Sequence, residues 1–162
     1  MDEKKILQYY DEIFRFSYYM TGNEEAAYDC TQETFLRLIR FYGTYTEKRK
    51  FKAWLFRIAR NVCYDHFRKE KEIPEEAVTL GLSPGRAEED KNLARMESGQ
   101  VIRAALEKLP RMQRDVVILR FYHQLSIQEI ATITDSSIPT VKSRLRQSMD
   151  KLRKLLDEEE FN

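Results

Sequence analysis

Residues 125–147, Leu-Ser-Ile-Gln-Glu-Ile-Ala-Thr-Ile-Thr-Asp-Ser-Ser-Ile-Pro-Thr-Val-Lys-Ser-Arg-Leu-Arg-Gln, hold two helix starts in close succession. Ser126-Ile127-Gln128-Glu129 spells a capping box, in which the serine hydroxyl and the glutamate carboxylate satisfy each other's backbone N–H groups. The helix it opens is short, ending near Ile133. A polar turn, Thr134-Asp135-Ser136-Ser137, follows, and Ser137 caps a second helix running from about Ile138 to Leu156. Pro139 falls in the first turn of that helix, where its missing N–H would be unpaired in any case. Ile127, Ile130, Val141 and Leu145 supply an apolar seam between the two helices, and Ala131 is small where they cross. A short helix, a tight turn and a longer basic helix make a helix-turn-helix pattern. Its second helix turns Thr140, Lys142, Ser143, Arg144, Arg146 and Gln147 outward. Arginine and glutamine can pair bidentately with base edges in a major groove, and lysine can meet phosphates.

Working outward, the chain reads as helices with short breaks. Gln113 to Tyr122 is strongly apolar, and a helix over about 93–108 ends at Leu109-Pro110, since proline cannot continue it. Residues 73–92 hold two of the four prolines, two of the five glycines and five acids against two bases, with little periodicity, and read as a linker. Before it, residues 3–20 space Ile6, Tyr10, Ile13, Phe14 and Ser17 helically. Thr21-Gly22-Asn23 is a break, with Asn23 capping the acidic turn Glu24-Glu25. A second helix to about Tyr42 is expected to bury Ala27, Cys30, Phe35, Leu38 and Ile39. A third, from about Phe51 to Glu70, sets Phe51, Trp54, Leu55, Ile58 and Val62 on its apolar face. The expected fold is all-α: two small helical domains, residues 1–72 and 93–162, joined by a flexible linker over 73–92, the second containing the helix-turn-helix.

Composition supports this. Of 162 residues 42% are hydrophobic, enough for packed cores, and 34% are charged, with a mean hydropathy of −0.63, which suits exposed helices. With 5 Gly and 4 Pro there are too few turns for a many-stranded sandwich or barrel. The 28 Lys plus Arg against 27 Asp plus Glu leave a net charge of +1, yet the charge is segregated. Lys48 to Lys71 carries a net +7 and Thr140 to Lys154 a net +5, with acids gathered at Glu75, Glu76, Glu88, Glu89, Asp90 and in the tail. Two basic segments are two candidate polyanion surfaces. Each alone could be merely the solvated face of an amphipathic helix; two with matching motifs argue against that. No apolar run is long enough to span a bilayer, and the N-terminus has no cleavable-leader pattern, so a cytoplasmic protein without membrane insertion is expected. Cys30 and Cys63 could pair once, but two buried thiols is the plainer reading.

Three strings in the second module, Leu109-Pro110, Leu125-Ser126-x-x-Glu129-Ile130-Ala131 and Thr140-Val141-Lys142-Ser143-Arg144-Leu145, resemble the promoter-binding fourth domain of bacterial sigma factors. In the first module, Asp29-x-x-Gln32-Glu33-x-Phe35-Leu36-Arg37 and Phe51-x-x-Trp54-Leu55-x-x-Ile58-Ala59-x-Asn61 resemble the second domain of the same family. Their order, with no third domain between them, is similar to the extracytoplasmic-function (ECF) subclass. The resemblance implies binding to bacterial core RNA polymerase through Asp29, Gln32, Glu33, Leu36 and Arg37, on a coiled coil of its largest subunit. It also implies binding and opening of a minus-ten promoter element through Lys52, Arg57, Arg60, Asn61, Arg68 and Lys69. Asn61 and the loop from Gly43 to Lys52 would receive an unstacked base, with Tyr42, Tyr45 and Phe51 available for stacking and Trp54 in the core. Thr140, Lys142, Ser143, Arg144, Arg146 and Gln147 would read a minus-thirty-five element as duplex. On the same resemblance an anti-sigma factor is an expected partner. The apolar patch Val78, Leu80 and Leu82 could serve it or approach the polymerase channel, and both remain open. One departure stands out: Thr134-Asp135 and Pro139 occupy positions where many family members have Leu-Gly and Gly.

No P-loop, dinucleotide fingerprint or four-ligand zinc pattern is present, and no carboxylate pair suggests acid–base work. Cys63 and His66 share a helix face without a second pair, so no metal is expected; nor is a cofactor or an enzymatic activity. The competing reading is a stand-alone helix-turn-helix regulator whose N-terminal bundle dimerises or senses. The basic third helix, which a sensor would not need, counts against it. An adaptor without a DNA role is disfavoured by both basic segments.

Overall fold

A computed structural model describes residues 3–41, 50–71 and 97–161, and every element in them is helical. The chain divides into two units, Met1–Ala87 and Glu88–Asn162. The linker expected over 73–92 lies outside the described residues, as do residues 42–49 with Tyr42, Gly43 and Tyr45.

The first unit holds α1 (Glu3–Thr21), α2 (Glu24–Phe41) and α3 (Phe51–Lys71). Gly22 makes the break between α1 and α2 at φ 68°, a conformation that costs glycine nothing. Asn23 then caps α2, its Oδ1 accepting from the Ala26 N–H at 2.8 Å. Glu24 and Glu25 in the first turn and Arg40 in the last complement the helix dipole. The core is Ile13, Phe16 and Met20 from α1 against Leu55, Phe56, Ala59, Cys63 and Phe67 from α3. Phe16 and Phe56 meet edge to face at 5.7 Å, and burying each such side chain contributes about 1.5–3 kcal/mol.

The buried stripe of α2 differs from the sequence expectation. It consists of small residues, Ala26, Ala27, Cys30, Thr31 and Thr34, with Leu38 at its end. Thr31 and Thr34 can be buried because their hydroxyls donate to the carbonyls of Ala27 and Cys30, at 2.7 and 2.6 Å. That stripe rotates the larger apolar residues outward. Ile39, expected in the core, is 75% exposed, and Phe35 is half-buried against Tyr10. Trp54 is likewise half-buried beside Phe51, because Ala53, Leu55 and Phe56 occupy the inner face of α3. Cys30 and Cys63 are free buried thiols.

The second unit holds α4 (Glu97–Lys108), α5 (Arg111–Val117), α6 (Ile127–Thr134) and α7 (Ile138–Phe161). The Arg114 guanidinium closes the end of α4, donating to the carbonyls of Leu106, Glu107 and Leu109 at 2.8–3.1 Å. Instead of one straight helix to Tyr122, α5 passes into a π turn over Ile118–Tyr122, closed by the His123 N–H on the Ile118 carbonyl at 3.3 Å. Val116–Leu119 are four apolar residues in a row, with Phe121 and Tyr122 following Arg120, more than one α-helical face can bury. The wider turn keeps Ile118 and Leu119 inside and leaves Phe121 and Tyr122 out.

Both caps of the helix-turn-helix form as the sequence indicates. The Glu129 N–H donates to Ser126 Oγ at 3.1 Å and the Ser126 N–H to Glu129 Oε1 at 3.0 Å, and Thr140 N donates to Ser137 Oγ at 3.2 Å. Ile130, Ile133 and Val141 are buried between the helices. Asp135 ends α6 in the left-handed conformation, φ 53° and ψ 46°. This is the backbone shape glycine adopts freely and other residues adopt at a cost. Asp135→Gly is therefore expected to raise stability by about 0.5–1 kcal/mol, seen as a higher melting temperature of the second unit's transition in calorimetry.

Candidate functional site

Charge and exposure sort the candidate residues of the first unit onto three faces. On α3, Arg57, Asn61 and Arg68 are exposed on one stripe, with half-exposed Arg60 and Tyr64 beside them. The Arg60 guanidinium carbon lies 4.4 Å from the Tyr64 ring centroid, a cation–π contact, and Arg68 pairs with Asp65 one turn back. A helix carrying three arginines and an asparagine on its solvent side can follow a phosphate backbone and read a base edge.

Lys52 and Lys69 do not join that stripe. Lys52 Nζ sits 3.7 Å from Glu12 Oε2, turned to α1. Lys69 lines an open cleft of about 380 Å³ between α2 and α3, together with Asp29, Glu33, Arg37, Asp65 and His66. Within it Arg37 bridges two helices, from Glu33 Oε1 (3.1 Å) on α2 to Asp65 Oδ2 (2.9 Å) on α3. His66 faces Glu70 at 3.2 Å while Cys63 is fully buried, so the two are not presented together. Among the described residues no group of three or more His, Cys, Asp or Glu could hold a metal ion.

The outer face of α2 is the third. Asp29, Gln32 and Leu36 are exposed there, and Gln32 Nε2 donates to Tyr10 Oη at 3.0 Å. Glu33 and Arg37 stand at its edge, half-buried in the cleft. Leu36 is 55% exposed, and with Ile39 it forms an apolar centre inside a polar surround, the composition of a protein-docking patch. Ile39 and Tyr64 are the two residues the motifs did not single out. The small-residue stripe of α2 signals the first; the i, i+4 spacing of Arg60 and Tyr64 signals the second.

In the second unit, Lys142, Arg146 and Gln147 are exposed on α7, with Thr140, Ser143 and Arg144 half-exposed. Arg144 is turned toward the inter-helix turn, where its Nη1 donates to Ser136 Oγ at 2.8 Å. Thr140 Oγ1 is 2.8 Å from the capping Ser137 Oγ. Arg146, one residue pair along, faces outward. On another side Ile102, Phe121, Tyr122, Met149 and Leu156 line an apolar groove of about 230 Å³, to which the π turn contributes Phe121 and Tyr122. Among the described residues no helix is long and apolar enough to cross a membrane.

Two family profiles match the chain: Sigma-70 region 2 over residues 6–73 and Sigma-70, region 4 over residues 99–152. The ECF RNA polymerase sigma factor SigW of Bacillus subtilis is 35% identical over 159 residues, spanning 91% of this chain and 84% of that protein. The chain is an ECF sigma factor of the sigma-70 family. A second Bacillus subtilis relative, the ECF RNA polymerase sigma factor SigX, is 32% identical over 93% of the chain and 85% of its own length. The sigma factor RpoE from Bartonella quintana, solved in complex with the anti-sigma factor NepR, shares the fold. Its TM-score is 0.73 at 22% identity, with 96% of each chain covered. As an ECF sigma factor the protein binds core RNA polymerase, recognises promoter DNA and directs transcription initiation. The region 2 match takes in most of α1 and all of α2 and α3, and the region 4 match takes in the helix-turn-helix. The stand-alone regulator reading gains nothing from these matches.

Proposed function

We propose a division of labour along the chain. Residues 1–72 dock core polymerase and open the minus-ten element, residues 73–92 connect, and residues 93–162 read the minus-thirty-five element as duplex. Two DNA-binding modules on one chain gain affinity through effective concentration, so neither basic surface has to be strong alone. Polymerase meets the outer face of α2 through Asp29, Gln32 and Leu36, with Glu33 and Arg37 at the edge. Arg57, Arg60 and Arg68 follow the minus-ten phosphates and Asn61 reads an unstacked base. Lys52 and Lys69 belong to the α1 contact and the α2–α3 cleft, and their part in DNA binding is secondary. On α7, Arg146 and Gln147 read bases, Lys142, Ser143 and Thr140 meet the backbone, and Arg144 braces the turn.

The observation that carries this reading is the segregation of faces. The exposed stripe of α3 is basic, while the exposed stripe of α2 is apolar at its centre and lies on a different helix, so DNA and polymerase can be held at once. The protein acts in the cytoplasm, where polymerase and promoters are, without an enzymatic step of its own. An anti-sigma factor that covers the α2 or DNA-binding surfaces is the proposed regulator; the Bartonella quintana sigma factor is found with such a partner.

Asn61 gives the direct test. Asn61→Ala is expected to leave the affinity for core polymerase unchanged and to lower open-complex formation roughly tenfold, the worth of a lost hydrogen-bonding pair to an unstacked base. Permanganate footprinting of unpaired thymines measures it. Loss of polymerase binding or aggregation would make Asn61 a structural residue instead.

A further inference from the structure

Resting on the reading of α3 as the minus-ten surface, we propose that Tyr64 is a positioning residue for promoter DNA, holding the Arg60 guanidinium in place within the basic stripe. Tyr64 lies four residues after Arg60, three after Asn61, seven after Arg57 and four before Arg68, so helical geometry puts all five on one side of α3. The Arg60 guanidinium carbon lies over the ring, 4.4 Å from its centroid. The same ring packs edge-on against Phe67, with centroids 6.0 Å apart at 89°. Phe67 is 4% exposed and belongs to the core. A chain of contacts therefore runs from the core through Phe67 and Tyr64 to Arg60.

This arrangement matters because a long arginine side chain on a helix surface is otherwise free among many rotamers, and ordering it on DNA would oppose binding. A guanidinium held over a ring by a cation–π contact has fewer rotamers open to it and keeps its N–H donors at the protein surface. A phosphate arriving on the stripe meets donors that are already oriented. Tyr64 acts through its aromatic face, so its hydroxyl is dispensable for this role.

The test uses the full chain assembled with bacterial core polymerase and a fluorescent fork-junction DNA taken from a start site mapped by run-off transcription. Affinity is measured against salt, because the slope of log K on log [salt] counts phosphate contacts. Tyr64→Leu and Tyr64→Gln are expected to weaken binding about three- to tenfold with the slope near that of the wild type, because Arg60 keeps its charge and loses only its orientation. Tyr64→Phe is expected to match the wild type. Arg60→Ala should weaken binding at least as much and reduce the slope by about 0.7–0.9, one phosphate contact, and the Arg60→Ala, Tyr64→Leu double variant should bind no more weakly than Arg60→Ala alone. The inference is overturned if Tyr64→Phe falls with the non-aromatic variants, if the double variant binds more weakly than Arg60→Ala alone, or if Arg60→Ala keeps the wild-type slope or both non-aromatic variants keep the wild-type affinity. Arg57→Ala separates the two levels of the argument. If it too leaves affinity and slope untouched, the basic stripe is not the DNA surface; if it weakens binding while Tyr64→Leu does not, only the role of Tyr64 fails. Unchanged polymerase affinity and melting temperature in the Tyr64 variants exclude a general loss of fold as the cause.

Discussion

Leu36→Glu is expected to weaken binding to core polymerase by about thirtyfold or more, while the melting temperature of the protein stays within a few degrees of wild type. The expectation follows from where α2 keeps its bulk. Its buried stripe is made of Ala26, Ala27, Cys30, Thr31, Thr34 and Leu38, and Leu36 stands 55% exposed on the opposite side. A leucine there contributes little to folding, so a charge is tolerated in the free protein. At the centre of a docked interface the same charge would be desolvated without a partner, and central apolar anchors commonly contribute 2 kcal/mol or more. About 2 kcal/mol corresponds to the thirtyfold loss. Leu38 is the matched control. At 6% exposure its replacement by glutamate is expected to lower the melting temperature strongly, so the two neighbours should separate binding from folding. Wild-type polymerase affinity in Leu36→Glu, measured by fluorescence anisotropy, would remove the outer face of α2 from the interface.

The second large effect belongs to Arg146. It is exposed on the outer side of α7, while Arg144 is drawn to Ser136 Oγ at 2.8 Å. If Arg146 pairs bidentately with a guanine in the upstream element, Arg146→Ala weakens holoenzyme binding by about 1–3 kcal/mol, about five- to more than a hundredfold, and makes one base position indifferent to substitution. Lys142→Ala should behave differently: a uniform loss on every promoter and a salt slope smaller by about one contact, without changed sequence preference. Competition among promoter fragments substituted base by base across the upstream element distinguishes these results. Retained preference at every position in Arg146→Ala would shift base reading to another residue of α7.

The helix-turn-helix was legible because its signals are local. Ser126 with Glu129, and Ser137 with the Thr140 N–H, are satisfied within one turn of helix, so neither needs knowledge of the rest of the fold. The Asn23 cap is of the same kind. The orientation of α2 was not legible from apolar spacing, since alanine, cysteine and back-bonded threonines make its buried stripe and hydrophobicity alone favoured Ile39. The π turn at Ile118–Tyr122 escaped for a related reason: four successive apolar residues, Val116–Leu119, followed by two aromatics after Arg120, have no clear period to read. Residue type grouped Lys52 and Lys69 with the arginines of α3, yet each lies a different number of residues around the helix and meets Glu12 or the α2–α3 cleft. Spacing separates them from Arg57, Asn61 and Arg68 once the buried face of α3 is known. Residues 43–49 of the candidate base-receiving loop, Gly43 to Lys52, and the connecting segment lie outside the described residues, and their roles rest on the family resemblance.

The central claim is that this chain turns core polymerase into a promoter-specific enzyme. The measurement closest to it is run-off transcription with purified protein, bacterial core polymerase and fragmented genomic DNA from the source organism. The account predicts transcripts from defined start sites only when both proteins are present, with two shared sequence elements upstream. Specific DNA binding by the protein alone, and no new transcripts when polymerase is added, would contradict it.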